Sequence, residues 1–221
     1  GGESMPVPLI EKYASKGVAI RQGYGMTEVG PNLTSLHQDD AIRKKGSIGR
    51  PNFYVQHRIV KEDGKEALAN EAGELWLRGP MVTPGYWNNA EAGKAAFSED
   101  GLWFKTGDIV IEDEERYLYI VDRLKNMYIS GAENVYPAEI ERVLKQNENI
   151  TDCAVIGVKD EKWGEVGKAF VVLKQPVDEA SLKAFCTERL AKFKVPKYFI
   201  VLEALPLTDS GKIDRKKLKQ Q

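Results

Sequence analysis

Apolar positions in this chain recur with two different spacings, and the change of spacing divides it into regions. Residues 8–16 carry a helical spacing. The short apolar run Val18-Ala19-Ile20 then leads into a glycine-rich turn, a pattern that predicts a buried strand feeding a functional loop. From 51 to 121 the texture is that of strands. Val55, His57 and Ile59 alternate with polar neighbours, Asp63-Gly64 signals a turn, and residues 74–78 and 117–121 form two more β-rich runs. Several short strands broken by Gly, Pro, Asn and Asp predict a small barrel- or sandwich-like subdomain.

After Asp122 the helical spacing returns. Pro137 opens a predicted helix with Glu139 and Glu141 in its first turn, where carboxylates complement the positive helix end, and Ile140, Val143 and Leu144 as its apolar stripe. Residues 154–158 and 169–173 read as strands. Leu182, Phe185, Cys186, Leu190 and Phe193 trace a second amphipathic helix stopped before Pro196, and 198–202 reads as a third strand. The last hundred residues thus read as a compact α+β domain.

Composition narrows the function classes. The 32 Lys and Arg nearly balance the 33 Asp and Glu, leaving no overall field for nucleic acid or an anionic membrane. The basic tail at 212–219 lacks interleaved aromatic rings, which also argues against nucleic-acid binding. Two cysteines, Cys153 and Cys186, exclude a disulfide framework and a multi-cysteine zinc site; both sit on apolar faces and are expected in the core. His37 and His57 lack ligand spacing, and His57 is expected to be structural, without a partner. No apolar run approaches the ~20 residues of a membrane span and no signal peptide is visible, so a cytoplasmic location is expected.

Four places carry candidate chemistry. In Gly23-Tyr24-Gly25-Met26-Thr27-Glu28 two glycines let backbone amides approach a ligand, Tyr24 offers a stacking face, Thr27 can donate to a phosphate and Glu28 can hold Mg²⁺. Asp108, after Thr106-Gly107, could accept hydrogen bonds from ribose hydroxyls. Arg123 falls where the strand-rich region meets the last domain, and Lys212 sits in the loop Asp209-Ser210-Gly211-Lys212. Taken singly, each also fits a plain turn residue or a solvated charge.

Their order is more specific. Gly23-Tyr24-Gly25-Met26-Thr27-Glu28, Gly49-Arg50-Pro51, Gly73-Glu74-Leu75, Gly85-Tyr86-Trp87 and Thr106-Gly107-Asp108 resemble successive signatures of the adenylate-forming superfamily. The series continues through Asp122-Arg123-Leu124-Lys125, Ser130-Gly131-Ala132-Glu133-Asn134-Val135-Tyr136-Pro137, Trp163-Gly164-Glu165 and Gly211-Lys212. This superfamily includes acyl-CoA ligases, peptide-synthetase adenylation domains and beetle luciferase. The resemblance implies a mixed α/β and α+β fold. Residues 1–50 would end a large amino-terminal α/β domain, 51–123 would form a β-barrel-like subdomain, and 124–221 a mobile carboxyl-terminal lid.

The resemblance also implies roles. Gly23, Tyr24, Gly25, Met26, Thr27, Asp108 and Arg123 would bind nucleotide, with Thr27 at the α-phosphate and Glu28 on Mg²⁺. Lys212 would act on the carboxylate and α-phosphate during adenylation. Lys125 would be the lid hinge, and Gly131, Ala132 and Glu133 would line the passage for the pantetheine arm of coenzyme A. Ala132 stands where many members carry glycine, and Asp113-Glu114-Glu115-Arg116 replaces a common Asp-Gly turn. The implied activity is adenylation of a carboxylic acid, a medium- or long-chain fatty acid as first expectation, by ATP, followed by acyl transfer to CoA. An aryl or other acid–CoA ligase, or a non-catalytic nucleotide-binding module, is the alternative. The family's phosphate loop would lie upstream of Gly1-Gly2, so the chain alone is expected to be inactive. Strands orphaned from a larger sheet expose pairing edges, so a homodimer is a further expectation.

Overall fold

The computed structural model describes residues 5–220. It is a mixed α/β structure of two compact units, Gly1–Val121 and Asp122–Gln221. The first unit opens with helix α1 (Val7–Ala14). An antiparallel three-stranded sheet follows, in the order β1 (Gly23–Met26), β2 (Gly30–Ser35) and β3 (Arg50–Pro51). A second sheet runs in sequence order through β4 (Gln56–Val60), β5 (Ala72–Arg78), β6 (Phe104–Glu112) and β7 (Leu118–Arg123), with helix α2 (Ala90–Ala95) between β5 and β6. Both sheets are open, so the expected barrel does not close: β4 and β7 remain edges, linked through β5 and β6. One apolar core serves the unit. Val29, Leu33 and Ile48 pack with Ile59, Leu75, Leu77, Phe104, Val110 and Leu118.

Residues 18–20 form no strand. Val18 donates its N–H to the Tyr13 carbonyl as the chain leaves α1, and its side chain is exposed. An apolar run becomes a buried strand only where neighbouring strands take up its backbone groups, and no described strand pairs here. The Asp113–Arg116 turn closes without glycine. Asp113 accepts Glu115 and Tyr117 N–H on Oδ1 at 3.0 and 2.9 Å, and Arg116 takes a left-handed φ of 66°. His57, expected to lack a partner, meets Glu112 at 2.8 Å across the sheet.

The second unit is built on β10 (Ile150–Asp160) and β11 (Gly164–Leu173), paired antiparallel over their length. The hairpin of β8 (Tyr128–Ser130) and β9 (Glu133–Val135) joins β11 near Gly164, and β12 (Tyr198–Val201) lies parallel to β11 farther along. Alternation along β10 explains its burial on both faces. Cys153 and Val155 point into a core with α3 (Pro137–Leu144) and α4 (Glu179–Thr187). Ala154 and Ile156 point the other way, into a smaller core with Leu205 and with Leu218 of α5 (Arg215–Leu218). The predicted second amphipathic helix stops at Thr187. Leu190 turns back to donate its N–H to Cys186 and packs on the core, and Phe193 falls in a separate 3-10 turn. Glu141 lies in the second turn of α3, not the first, which frees its carboxylate for contacts described below.

Candidate active site

The loop after β1 is shaped by close backbone approach. A Cβ on Gly25 would collide with the backbone of Gly30 and Pro31, so the turn Met26–Val29, closed by Val29 N–H to the Met26 carbonyl at 3.1 Å, tolerates only glycine there. Thr34, fully buried, holds the strand behind it: its Oγ1 accepts the Tyr24 N–H at 3.1 Å and donates to the Ile48 carbonyl at 2.5 Å. Thr27 is thereby left exposed at the turn, beside half-buried Glu28.

Asp108 reaches the same place from β6. Between the pairs Glu74–Ile109 and Trp76–Lys105, three residues of β6 stand opposite one of β5, a bulge that re-aims the side chain. Thr106 Oγ1 donates to the Leu75 carbonyl at 2.7 Å and accepts Asp108 N–H at 3.1 Å, while Gly107 N–H donates to Glu74 at 2.9 Å. The carboxylate is turned inward, only 4% exposed, and its Oδ2 accepts the Tyr24 hydroxyl at 2.6 Å. Two groups 84 residues apart in sequence therefore share one buried hydrogen bond. Glu28 has its own partner, the Tyr86 hydroxyl, which donates at 3.0 Å; burial, then this carboxylate, push the Tyr86 phenol upward. Tyr86 belongs to a glycine-aromatic signature that sequence reasoning quoted without giving it a role. An exposed aromatic just after a glycine was the available signal.

The remaining candidates lie in the second unit, each in a defined local setting. Arg123 ends β7, with its N–H on Asp122 Oδ1 at 2.6 Å. Asp122 also accepts from Asn126 Nδ2 at 2.9 Å and, through Oδ2, from Ala138 N–H at 2.7 Å, so it caps α3 from a distance and brackets exposed Lys125. Gly131 and Ala132 are the two central residues of the β8–β9 hairpin. Their φ values of 60° and 69° satisfy a type I′ turn, in which both positions must be left-handed, so Ala132 carries strain that glycine would not. Trp163 packs over this turn and its carbonyl accepts Gly131 N–H at 2.9 Å. An open cleft of about 720 Å³ is lined there by Ile129, Ala132, Asp160, Trp163 and Glu165, among others. Lys212 is exposed on a loop closed by Thr208 N–H to the Lys212 carbonyl at 2.8 Å and by the Leu207–Ile213 bridge.

The geometry thus offers an aromatic residue hydrogen-bonded to a buried acid in one unit, and a hairpin cleft and an exposed lysine loop in the other. The family profile described as AMP-binding enzyme matches residues 1–87, and that of the AMP-binding enzyme C-terminal domain matches 139–212. The chain belongs to the adenylate-forming enzymes. It is 45% identical to a 2-succinylbenzoate–CoA ligase of Geobacillus kaustophilus, over all of this chain and 45% of that protein. Identity is also 45% to the long-chain-fatty-acid–CoA ligase FadD13 of Mycobacterium tuberculosis, over all of this chain and 44% of the relative. The chain therefore spans somewhat less than half the length of these relatives. Among solved structures, the Bacillus subtilis o-succinylbenzoate CoA synthetase in complex with its acyl-adenylate intermediate superposes with a TM-score of 0.91 at 41% identity, over 99% of this chain and 45% of the other. The same synthetase with ATP and magnesium gives 0.89 at 40% identity, again over 99% of this chain and 45% of that one.

The Bacillus subtilis synthetase structure is a complex with ATP and a magnesium ion. Among the described residues no cluster of three or more His, Cys, Asp or Glu could hold an ion, so what the side chains offer is a single carboxylate such as that of Glu28. Mg²⁺ is commonly held in this way, by one or two carboxylates with water and substrate phosphates completing the shell. No helix among the described residues is long and apolar enough to cross a membrane.

Proposed function

We propose that this chain supplies the nucleotide-contacting and lid portions of an ATP-dependent acid–CoA ligase. The observation that carries the reading is the buried Tyr24–Asp108 hydrogen bond, which brings an aromatic ring and a ribose-type acceptor into one site. In this reading Gly23, Tyr24, Gly25, Met26, Thr27, Asp108 and Arg123 bind the nucleotide. Glu28 would hold Mg²⁺, which neutralises phosphate charge when bound. The acid's carboxylate oxygen attacks the α-phosphorus as the bond to pyrophosphate breaks. Lys212, with its ammonium at the new charge, stabilises that step. A turn about Lys125 then presents the Gly131-Ala132-Glu133 hairpin, where the CoA thiol attacks the acyl carbon and AMP leaves. The acid belongs to the class spanning long-chain fatty acids and aryl acids such as 2-succinylbenzoate, both of which occur in the names of relatives at 45% identity.

The test is a pyrophosphate-release screen of the full-length protein bearing this segment, against fatty acids of graded length and aryl acids. Pyrophosphate release with one acid class is expected, limited to about one turnover per enzyme without CoA and continuing, with thioester formed, when CoA is present. In the same protein, Lys212→Ala should slow adenylation a few hundredfold, about 3–4 kcal/mol, while sparing thioester formation from supplied acyl-AMP. Equal losses in both half-reactions would refute the role of Lys212.

A further inference from the structure

The lysine loop is fastened to the rest of the second unit just past Lys212. Three residues after Lys212, Arg215 donates through Nη1 to Glu141 Oε1 at 2.8 Å and to the Val155 carbonyl at 2.6 Å, and through Nη2 to Glu141 Oε2 at 3.1 Å. Glu141 Oε1 also accepts the Val155 N–H at 2.7 Å. The guanidinium thus makes a two-pronged pair with a residue of α3 and reaches the backbone of β10, in a setting where both side chains are mostly buried. Beyond it, Asp214 caps α5 by accepting Lys216 and Lys217 N–H, and donates its own N–H to the Pro206 carbonyl at 2.8 Å. Leu218 completes the hold from within the small core.

From this arrangement we infer that Arg215 and Glu141 are positioning residues for Lys212, fixing the loop that carries it to α3 and β10. The inference rests on the reading of Lys212 given above. Lysine is a flexible point charge on an exposed loop, so its useful orientation has to come from the backbone that bears it. A planar fork bound at both prongs restrains that backbone in a way a single-point contact does not. Misplacement of about 1 Å from a change remote from the chemistry can cost on the order of a hundredfold in rate.

The experiment has two arms. In the 221-residue chain, amide hydrogen exchange across 207–213 is compared in the parent, Arg215→Gln, Glu141→Gln and Arg215→Lys. Faster exchange confined to this loop, largest for Arg215→Gln and smaller for Arg215→Lys, is expected. In the full-length enzyme, adenylation by Arg215→Gln should fall about tenfold to a hundredfold, with thioester formation from supplied acyl-AMP unchanged. Unchanged loop exchange in both glutamine variants would overturn the inference. So would equal losses in both half-reactions, which mark a general loss of structure. Should Lys212→Ala itself spare adenylation while the loop exchange still accelerates, the reading of Lys212 fails and the anchoring stands.

Discussion

Tyr128→Phe should stabilise the second unit. The ring is only 2% exposed, and among the described residues its hydroxyl has no hydrogen-bond partner. It is pressed between glycines of β10 and β11: a Cβ on Gly167 would lie 2.6 Å from the hydroxyl oxygen, and one on Gly157 would overlap the ring. A buried hydroxyl without a partner costs ~1–3 kcal/mol of desolvation. Removing it leaves a void of roughly 10 Å³, which at about 24 cal/mol per Å³ returns only a few tenths of that. The net gain is therefore about 1 kcal/mol or more, worth roughly 5 °C in a unit of this size. Urea unfolding followed by circular dichroism and calorimetry would show a raised midpoint at unchanged slope. There is also a pH signature. Burial, with Glu165 adding to it, raises the Tyr128 pKa, so the folded state resists its ionisation more than the unfolded chain does. That contribution to stability is intact below about pH 10, where unfolded tyrosine titrates, and is lost as pH rises beyond it. The phenylalanine variant lacks this loss, so its advantage should widen above pH 10. A variant less stable than the parent at neutral pH would refute the reasoning, because it would mean the hydroxyl is satisfied.

Ala132→Gly should raise the unfolding free energy by about 1 kcal/mol, and the midpoint with it, since it relieves a left-handed alanine at φ 69°; an unchanged midpoint would count against a strained hairpin. Thr34→Val removes the acceptor of the Tyr24 N–H within the first unit's core and should cost ~2 kcal/mol in the same assay. Cys153 and Cys186 are pushed up to about 12 and about 11, chiefly by burial, so both should stay unlabelled by iodoacetamide at pH 8 until urea unfolds the chain.

Much of this was legible in residue order. Alternation marked β4, because one buried face imposes a period of two, and β-rich runs marked β5, β7 and the core of β10 and β11, the last two buried on both faces. The helix at Pro137 announced itself by its proline and apolar stripe. What stayed hidden depended on distant partners. Val18-Ala19-Ile20 has the composition of a strand, and composition does not report whether a neighbouring strand is there to pair. His57 has no local clue to Glu112, 55 residues away. Tyr24 and Asp108 were singled out separately, but only the bulge in β6 explains how they come to share a hydrogen bond. Arg215 read as one charge in a basic tail, because its partner Glu141 lies 74 residues earlier.

Asp122 gives the proposed pivot a catch. It holds Arg123 on one side of Lys125, and Asn126 and the first turn of α3 on the other, all on a single carboxylate. A turn at Lys125, as proposed, would pull the Asn126 amide and the Ala138 N–H away from that carboxylate together. Two charge-assisted bonds must open at once and be replaced by water or by new donors. If Lys125 is the pivot proposed above, the ease of turning there would depend on a residue to which the proposal gives no contact with nucleotide or acid.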